Sequence, residues 1–229
     1  MPKLARATDR FVIYDDFLPP KSVDALFQHV NDIRFSVVNS HDVAKPWRLG
    51  DGRPLRGTQV MVRPRGRRKA GELRYPTNTA LDAFIEGIDR ALPDVEKEIG
   101  LKRSAWNAMS IGPMIYPAGT ALSLHRDSIM HAGAYTYFLH REWNFHWGGH
   151  LLVLDGVEDV PRRSTYTHWL SDEEENGLVS EPGLATCILP KPNRIVFLAP
   201  SAFHMITRVD PNAGNHARIT VSGFFLRPH

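Results

Sequence analysis

The sequence predicts a mainly β protein, an antiparallel sandwich or jelly roll with helices packed on its outer face. Past residue 104, seven short runs rich in β-branched and aromatic residues follow one another, punctuated by Gly, Pro, Asn and Asp. Before residue 104, two stretches place apolar residues at helical spacing. The 229 residues, 42% hydrophobic and 23% charged, suffice for a sizeable core in one domain.

Taken in order, "RFVIYDDF" (10–17) reads as a short strand. Pro19 and Pro20 then lead into a helix, in which Val23, Leu26, Phe27 and Val30 recur at i, i+3, i+4 and i+7. A second helix follows Thr77 and Asn78, with Leu81, Phe84, Ile85, Ile88 and Leu92 along one face. Pro93 marks its end or a kink, and a short turn around Val95 and Ile99 stops at Gly100. The strand-like runs are "AWNAMSIGPMIYPAG", "TALSLHRD", "AYTYFLH", "GGHLLVLD", "ATCILP", "NRIVFLAP" and "ARITVSGFFL". Gly148 and Gly149 read as a tight turn or a close backbone approach. Residues 51–76 and 155–183 read as loops. The first carries Arg53, Arg56, Arg63, Arg65, Arg67, Arg68, Lys69 and Arg74, and the second is acidic, with "SDEEENG". The expectation is one domain over 1–229: an N-terminal strand and supporting helices in 1–103, and a jelly-roll core in 104–229.

Composition narrows the classes. The formal net charge is only +3, with a pI of about 9.1, so the overall balance points to no particular partner. Cys187 is the only cysteine, which excludes an intrachain disulfide and a four-thiolate zinc site and fits a reducing compartment. The N-terminus has no apolar signal-like segment, and no apolar run approaches the roughly 18 residues of a membrane span. A soluble cytoplasmic chain is expected.

The candidate site starts from "LSLHRDSIMHAG" (122–133). On a strand, residues two apart share a face, so His125 and Asp127 project together, roughly 7 Å apart along the backbone, and Arg126 faces away. An imidazole and a carboxylate so placed can close on one cation. His204, after the apolar run "NRIVFLAP", is the candidate third ligand. Two histidines and a carboxylate form a facial triad that suits non-haem Fe(II) and leaves coordination positions open. In "HARITVSGFF", Arg218 and Thr220 share a strand face, and a guanidinium fork beside a hydroxyl can hold a carboxylate.

With these residues the chain resembles the Fe(II)/2-oxoglutarate-dependent dioxygenase superfamily, and within it the prolyl-4-hydroxylase-like branch. The resemblance runs through "MSIGPMIYPAGTALSLHRD", "YTYFLHREWNFHWGGHLLVLD", "PKPNRIVFLAPSAFHMI" and "ARITVSGFF", with "VIYDDFLPPKSVDAL" similar to that branch's opening strand and helix. It implies a double-stranded β-helix core with N-terminal helices packed on one sheet. It implies His125, Asp127 and His204 as iron ligands, Arg218 as the partner of the distal carboxylate of 2-oxoglutarate, and Thr220 as its helper. It implies Tyr116 as a residue lining the cofactor pocket. The activity it implies consumes O2, converts 2-oxoglutarate to succinate, and hydroxylates an unactivated C–H bond of an amino acid (free, peptidyl or carrier-bound) or of a small natural product. Relatives that chlorinate lack the carboxylate at Asp127, so hydroxylation is expected.

Departures from the family pattern remain. His140 and His150 stand where the family carries Asn and an acidic residue, which adds imidazoles near the site. Arg218 sits two residues late relative to "ITV". By residue type alone His150 is a rival third ligand, Tyr116 could be a plain core aromatic, and Arg218 could pair with an acidic neighbour. Two other functions stand beside the enzyme: a non-catalytic cupin-like metal- or ligand-binding module, and a nucleic-acid-directed oxygenase using the basic stretch 53–74. The carboxylate clamp argues against the first. "RPRGRRK" lacks the interleaved aromatics of single-strand readers, and reads equally as a solvated loop or as a lid that attracts an anionic substrate.

Overall fold

A computed structural model of the chain describes residues 2–38, 49–63, 70, 73–155, 173, 175–177 and 184–228. The N-terminal part forms β1 (Lys3–Ala7), β2 (Phe11–Asp15), α1 (Pro20–Asn31), β3 (Phe35–Val37), β4 (Leu55–Gly57), β5 (Val60–Arg63), β6 (Leu73–Arg74) and α2 (Leu81–Ile99). Eight strands follow: β7 (Ala108–Tyr116), β8 (Leu122–His125), β9 (His131–Phe138), β10 (Leu151–Leu154), β11 (Ala185–Ile188), β12 (Ile195–Leu198), β13 (His204–Ile206) and β14 (Arg218–Leu226).

Among the described residues these strands make two sheets. A ten-stranded sheet runs β1-β2-β12-β9-β14-β7-β4-β3, with β5 on β7 and β6 on β5; a four-stranded sheet runs β11-β10-β13-β8. Pairing is antiparallel except between β5 and β6. From β7 onward the chain crosses between the sheets at every step but one: β7, β9, β12 and β14 lie in the large one, and β8, β10, β11 and β13 in the small one, where β10 and β11 follow each other as an antiparallel pair. That alternation winds the two sheets face to face as a double-stranded β-helix.

Side-chain alternation then sorts the core into two layers. Phe11 and Ile13 of β2 turn inward, joining Phe138, Leu151, Val153 and Val196 between the sheets. Val12 and Tyr14 turn outward and pack with Tyr137 and Phe197 under Leu26 of α1 and Phe84 and Ile88 of α2. With both faces covered, central strands such as "IVFL" need to be apolar throughout rather than alternating.

The structure corrects the sequence reading in three places. Residues 51–76 are not simply a loop, since β4 and β5 pair with β7 and extend the large sheet. The N-terminal part therefore supplies six strands as well as the helices. Pro93 does not end the second helix, which continues to Ile99 because Val95 and Ile99 carry its buried stripe onward; Gly100, at φ 67°, closes it with its N–H on the Glu96 carbonyl. His204 does not merely follow a strand but begins one, β13. Arg65, Arg67, Arg68 and Lys69 lie outside the described residues, as does the acidic stretch apart from 155, 173 and 175–177. No helix among the described residues is long and apolar enough to cross a membrane.

Candidate active site

The small sheet brings the first ligands together. β8 and β13 are antiparallel neighbours, and His125 and His204 are direct cross-strand partners with ring centroids 4.3 Å apart. Asp127 lies just beyond the end of β8, its Oδ1 3.7 Å from His125 Nε2. One ligand atom from each of the three lies within 4.8 Å of the others, and all three side chains are buried.

Both imidazoles are oriented in the same way. His125 Nδ1 donates to the Ser123 carbonyl at 2.8 Å, and His204 Nδ1 donates to the Ala202 carbonyl at 3.0 Å. Each ring thus holds its proton on Nδ1 and keeps the Nε2 lone pair for a cation. Burial, then the neighbouring His204 imidazole, pushes the His125 pKa down to about 4, so its ring is neutral and ready to ligate at physiological pH. Asp51 supports this arrangement from behind: it accepts from Ser123 N at 3.1 Å and from Ser123 Oγ at 2.8 Å, fixing the residue whose carbonyl orients His125. Two nitrogens and one oxygen on buried side chains suit ferrous iron with positions left open.

Arg218, the first residue of β14, is fully buried and is the cross-strand partner of Tyr116. Its guanidinium lies 5.3 Å from the Tyr116 ring centroid and 4.9 Å from that of Phe138. No described residue hydrogen-bonds to its Nε, Nη1 or Nη2. Burial lowers its pKa to about 10, which still leaves it charged at neutral pH. A buried cation without an internal counterion is costly and calls for an anion from outside. A keto diacid meets that requirement: it offers a carboxylate to this fork and a chelating end to the metal. Gly149 makes room for the arginine, since a Cβ there would meet Arg218 Cδ at 3.0 Å; at Gly148 a Cβ would strike the Arg208 carbonyl oxygen at 2.2 Å. The expected close backbone approach is therefore present.

Triad and arginine open onto one cavity of about 260 Å³, which Tyr116 also lines. Thr220 shares the strand face of Arg218 and is fully buried. Its hydroxyl accepts from Ser222 Oγ at 3.3 Å, and Ser222 Oγ is 2.8 Å from Thr136 Oγ1. The two family-divergent histidines do not join the ligands. His140 is pinned with Nε2 on the Pro190 carbonyl at 2.7 Å, and His150 directs Nε2 to the Phe145 carbonyl at 3.1 Å. Arg126 lies over the Phe203 ring at 4.7 Å.

Several cavity residues escaped assignment from the sequence, Arg56, Gln59 and His131 among them. Arg56 and Gln59 line it from the β4–β5 region, and His131 lines it while stacked on Phe224 at 3.9 Å. The Nδ1 of His131 is buried without a hydrogen-bond partner among the described residues. Arg56 had a signal, its place in an arginine-rich stretch, but only strand register shows that it lines the cavity.

No family model matches the chain, and no curated protein matches it by sequence. Its fold does match solved structures. A prolyl-4-hydroxylase from Pseudomonas putida aligns over 96% of this chain and 93% of its own, with a TM-score of 0.56 at 16% identity. An oxidoreductase of the 2OG-Fe(II) oxygenase family from Burkholderia pseudomallei aligns over 96% and 86%, with a TM-score of 0.58 at 10% identity. HygX from Streptomyces hygroscopicus, solved with nickel, 2-oxoglutarate and hygromycin B bound, aligns over 95% and 83%, with a TM-score of 0.59 at 13% identity. At such identities the likeness establishes the fold that these proteins share.

Proposed function

We propose that the chain is an Fe(II)- and 2-oxoglutarate-dependent dioxygenase that hydroxylates an unactivated C–H bond of a small-molecule or peptide substrate. The observation that carries this reading is the pairing, in one cavity, of a buried His-Asp-His cluster with a buried guanidinium that has no hydrogen-bond partner among the described residues. A metal-binding module without oxygen chemistry has no use for the second element. HygX, of the same fold, binds 2-oxoglutarate and hygromycin B in its structure, which supports a keto diacid beside a small substrate here as well.

His125, Asp127 and His204 would hold the metal, and Arg218 would hold the far carboxylate of 2-oxoglutarate. Tyr116 and Phe138 sandwich the guanidinium and keep water from it, which strengthens its hold on an anion. Thr220 shares the strand face of Arg218 but is not among the cavity-lining residues, so it would support the clamp from behind rather than touch the keto acid. The bound iron and keto acid supply the oxidising power: dioxygen is reduced, one oxygen atom ending in the substrate hydroxyl and the other in succinate as carbon dioxide leaves. Asp127 fills the third protein ligand position, which favours hydroxylation over halide transfer. We take residues 1–229 as one domain acting in a reducing, cytoplasmic environment, a reading that the lone and exposed Cys187 supports.

The test is anaerobic addition of Fe(II) and 2-oxoglutarate, followed by visible absorption for the weak charge-transfer band of a chelated keto acid. The band is expected in the parent and lost in His125→Ala and His204→Ala. A parent with neither band nor oxygen-dependent succinate release would not be such an oxygenase.

A further inference from the structure

The cavity holds a second arginine that neither the metal nor the keto acid needs. Arg56 of β4 is the cross-strand partner of Met114 in β7, Met114 pairs with Thr220 in β14, and Thr220 pairs with Phe138 in β9. Cross-strand partners share a face of a sheet. Arg56 therefore stands on the face that carries Arg218, two strands away and two residues along, with the backbones roughly 12 Å apart by strand spacing and rise. Arg56 is half-buried, lines the cavity together with Gln59, and its side chain donates no hydrogen bond to the described residues and forms no ion pair with them.

Charge balance shows what Arg56 lacks. Among the described residues that line the cavity Asp127 is the one acid, against Arg56 and Arg218. A ferrous ion and a 2-oxoglutarate dianion cancel, and Asp127 offsets one arginine. One positive charge is left over. Burial assigns it: Arg218, wholly desolvated, has the stronger need for the keto acid's carboxylate. Arg56, still partly hydrated, remains as the uncompensated cation. The cavity of about 260 Å³ is many times the space that a single water needs, room for the keto acid and the reacting end of a second small molecule.

We propose that Arg56, assisted by the Gln59 amide, selects the prime substrate by binding a carboxylate on it, so that the substrate class is small carboxylic acids, free amino acids among them. This rests on the dioxygenase reading. An arginine fork takes a carboxylate in two parallel N–H···O bonds, a geometry that a neutral amide cannot reproduce because it places its own donors against the guanidinium. The glutamine beside it offers an amide N–H to the carboxylate and a carbonyl to any neighbouring ammonium or hydroxyl. Specificity built this way disfavours the uncharged isostere, since that ligand displaces water from the guanidinium without offering it a second acceptor.

The experiment measures binding by calorimetry and thermal shift, without oxygen, on protein loaded with Fe(II) and 2-oxoglutarate and in parallel on metal-free protein. The probes are proline, leucine, phenylacetate and hexanoate, each against its own carboxamide, at millimolar concentration. At least one acid is expected to bind about tenfold or more tightly than its amide. Arg56→Gln should erase that preference and Arg56→Lys restore it in part, while the charge-transfer band with 2-oxoglutarate stays at parental strength in both. Equal binding of acids and amides, no binding of any acid, or acid binding unaltered in Arg56→Gln would each overturn the proposal. So would loss of the 2-oxoglutarate band in Arg56→Gln, which would move Arg56 into the keto-acid clamp. A missing band in the parent counts against the dioxygenase reading instead, and the acid-over-amide comparison on metal-free protein still decides what Arg56 binds.

Discussion

Replacing Arg218 by methionine should make the ligand-free protein more stable and make it indifferent to 2-oxoglutarate. The guanidinium is fully buried, and no described residue accepts a hydrogen bond from it. Burial takes its pKa from the ordinary arginine value down to about 10. At about 1.4 kcal/mol per pH unit, that corresponds to roughly 3 kcal/mol of destabilisation of the charged form. A base with a depressed folded pKa carries this penalty in full at every pH below the folded value and is relieved only as pH rises through it. The penalty is therefore complete at neutral pH. Methionine keeps the length of the stem and removes the charge. It also forfeits the contacts of the cation with Tyr116 and Phe138, worth about 1–2 kcal/mol together. The net expectation is a gain of about 1–2 kcal/mol, or about 2–8 °C in Tm for a chain of this size. In the parent, anaerobic Fe(II) with 2-oxoglutarate at a hundred times its Kd should add about 2.7 kcal/mol. The variant should gain only what the metal provides. The melting order thus inverts: variant above parent without ligand, parent above variant with it. A ligand-free variant less stable than the parent by more than about 1 kcal/mol would refute the reasoning, because the guanidinium would then have a stabilising partner inside the protein.

Two further predictions concern groups away from the ligands. Burial holds the His140 pKa at about 4, against the hydrogen bond to Pro190 that raises it. As pH falls below the ordinary histidine value the unfolded chain takes up a proton that the folded chain refuses, so stability is lost from about pH 6.5 towards pH 4. His140→Phe should cost about 1 kcal/mol at neutral pH, by leaving the Pro190 carbonyl without its donor. Acidification to about pH 4.5 should move the balance by about 2 kcal/mol in the variant's favour, turning the deficit into an advantage of about 1 kcal/mol. Urea midpoints across that range test this, and a constant deficit would refute it. Gly223→Ala should cost at least about 3 kcal/mol in urea denaturation, because a Cβ there would sit 1.8 Å from the Ser110 carbonyl oxygen and 2.7 Å from the Tyr135 hydroxyl. A near-neutral effect would mean that β14 can move away from β7 at little cost.

What the sequence disclosed depended on how local its physics is. The spacing of His125 and Asp127 follows from the strand period, and the seven apolar runs each became a strand because every central strand is covered on two faces or faces the inter-sheet core. The stripes of α1 and α2 were legible for the same reason. β3, β4 and β6 were not, being two or three residues long, and β5 has four. Such segments take their extended form from pairing rather than from a pattern of their own. β13 is equally short, and pairing with β8 and β10 on its two sides makes it a strand. Pro93 shows the reverse: a strong local breaker was overridden by the buried stripe on either side of it. His140 looked like an addition to the site, yet its partner is a carbonyl fifty residues away.

Arg56 and Arg218 make the limit of sequence reading concrete. Both are arginines on strands of one sheet face, yet what differs between them is tertiary. Arg218 is enclosed by Tyr116, Phe138 and the stem contact allowed by Gly149, so its field acts through a low dielectric and is little screened by salt. Arg56 stays half in water, where the same charge acts more weakly and a rise in ionic strength weakens it further. In the proposed reading this gradient sets the order of events. The deep, unscreened cation takes the first dianion that also chelates the metal, and the outer one is left to test what arrives next. A substrate with the complementary charge completes the balance of the cavity, and a neutral one leaves Arg56 desolvated without a partner. Selectivity then comes from the same unmet demand for an anion that makes Arg218 the receptor of the keto acid, applied a second time nearer the solvent.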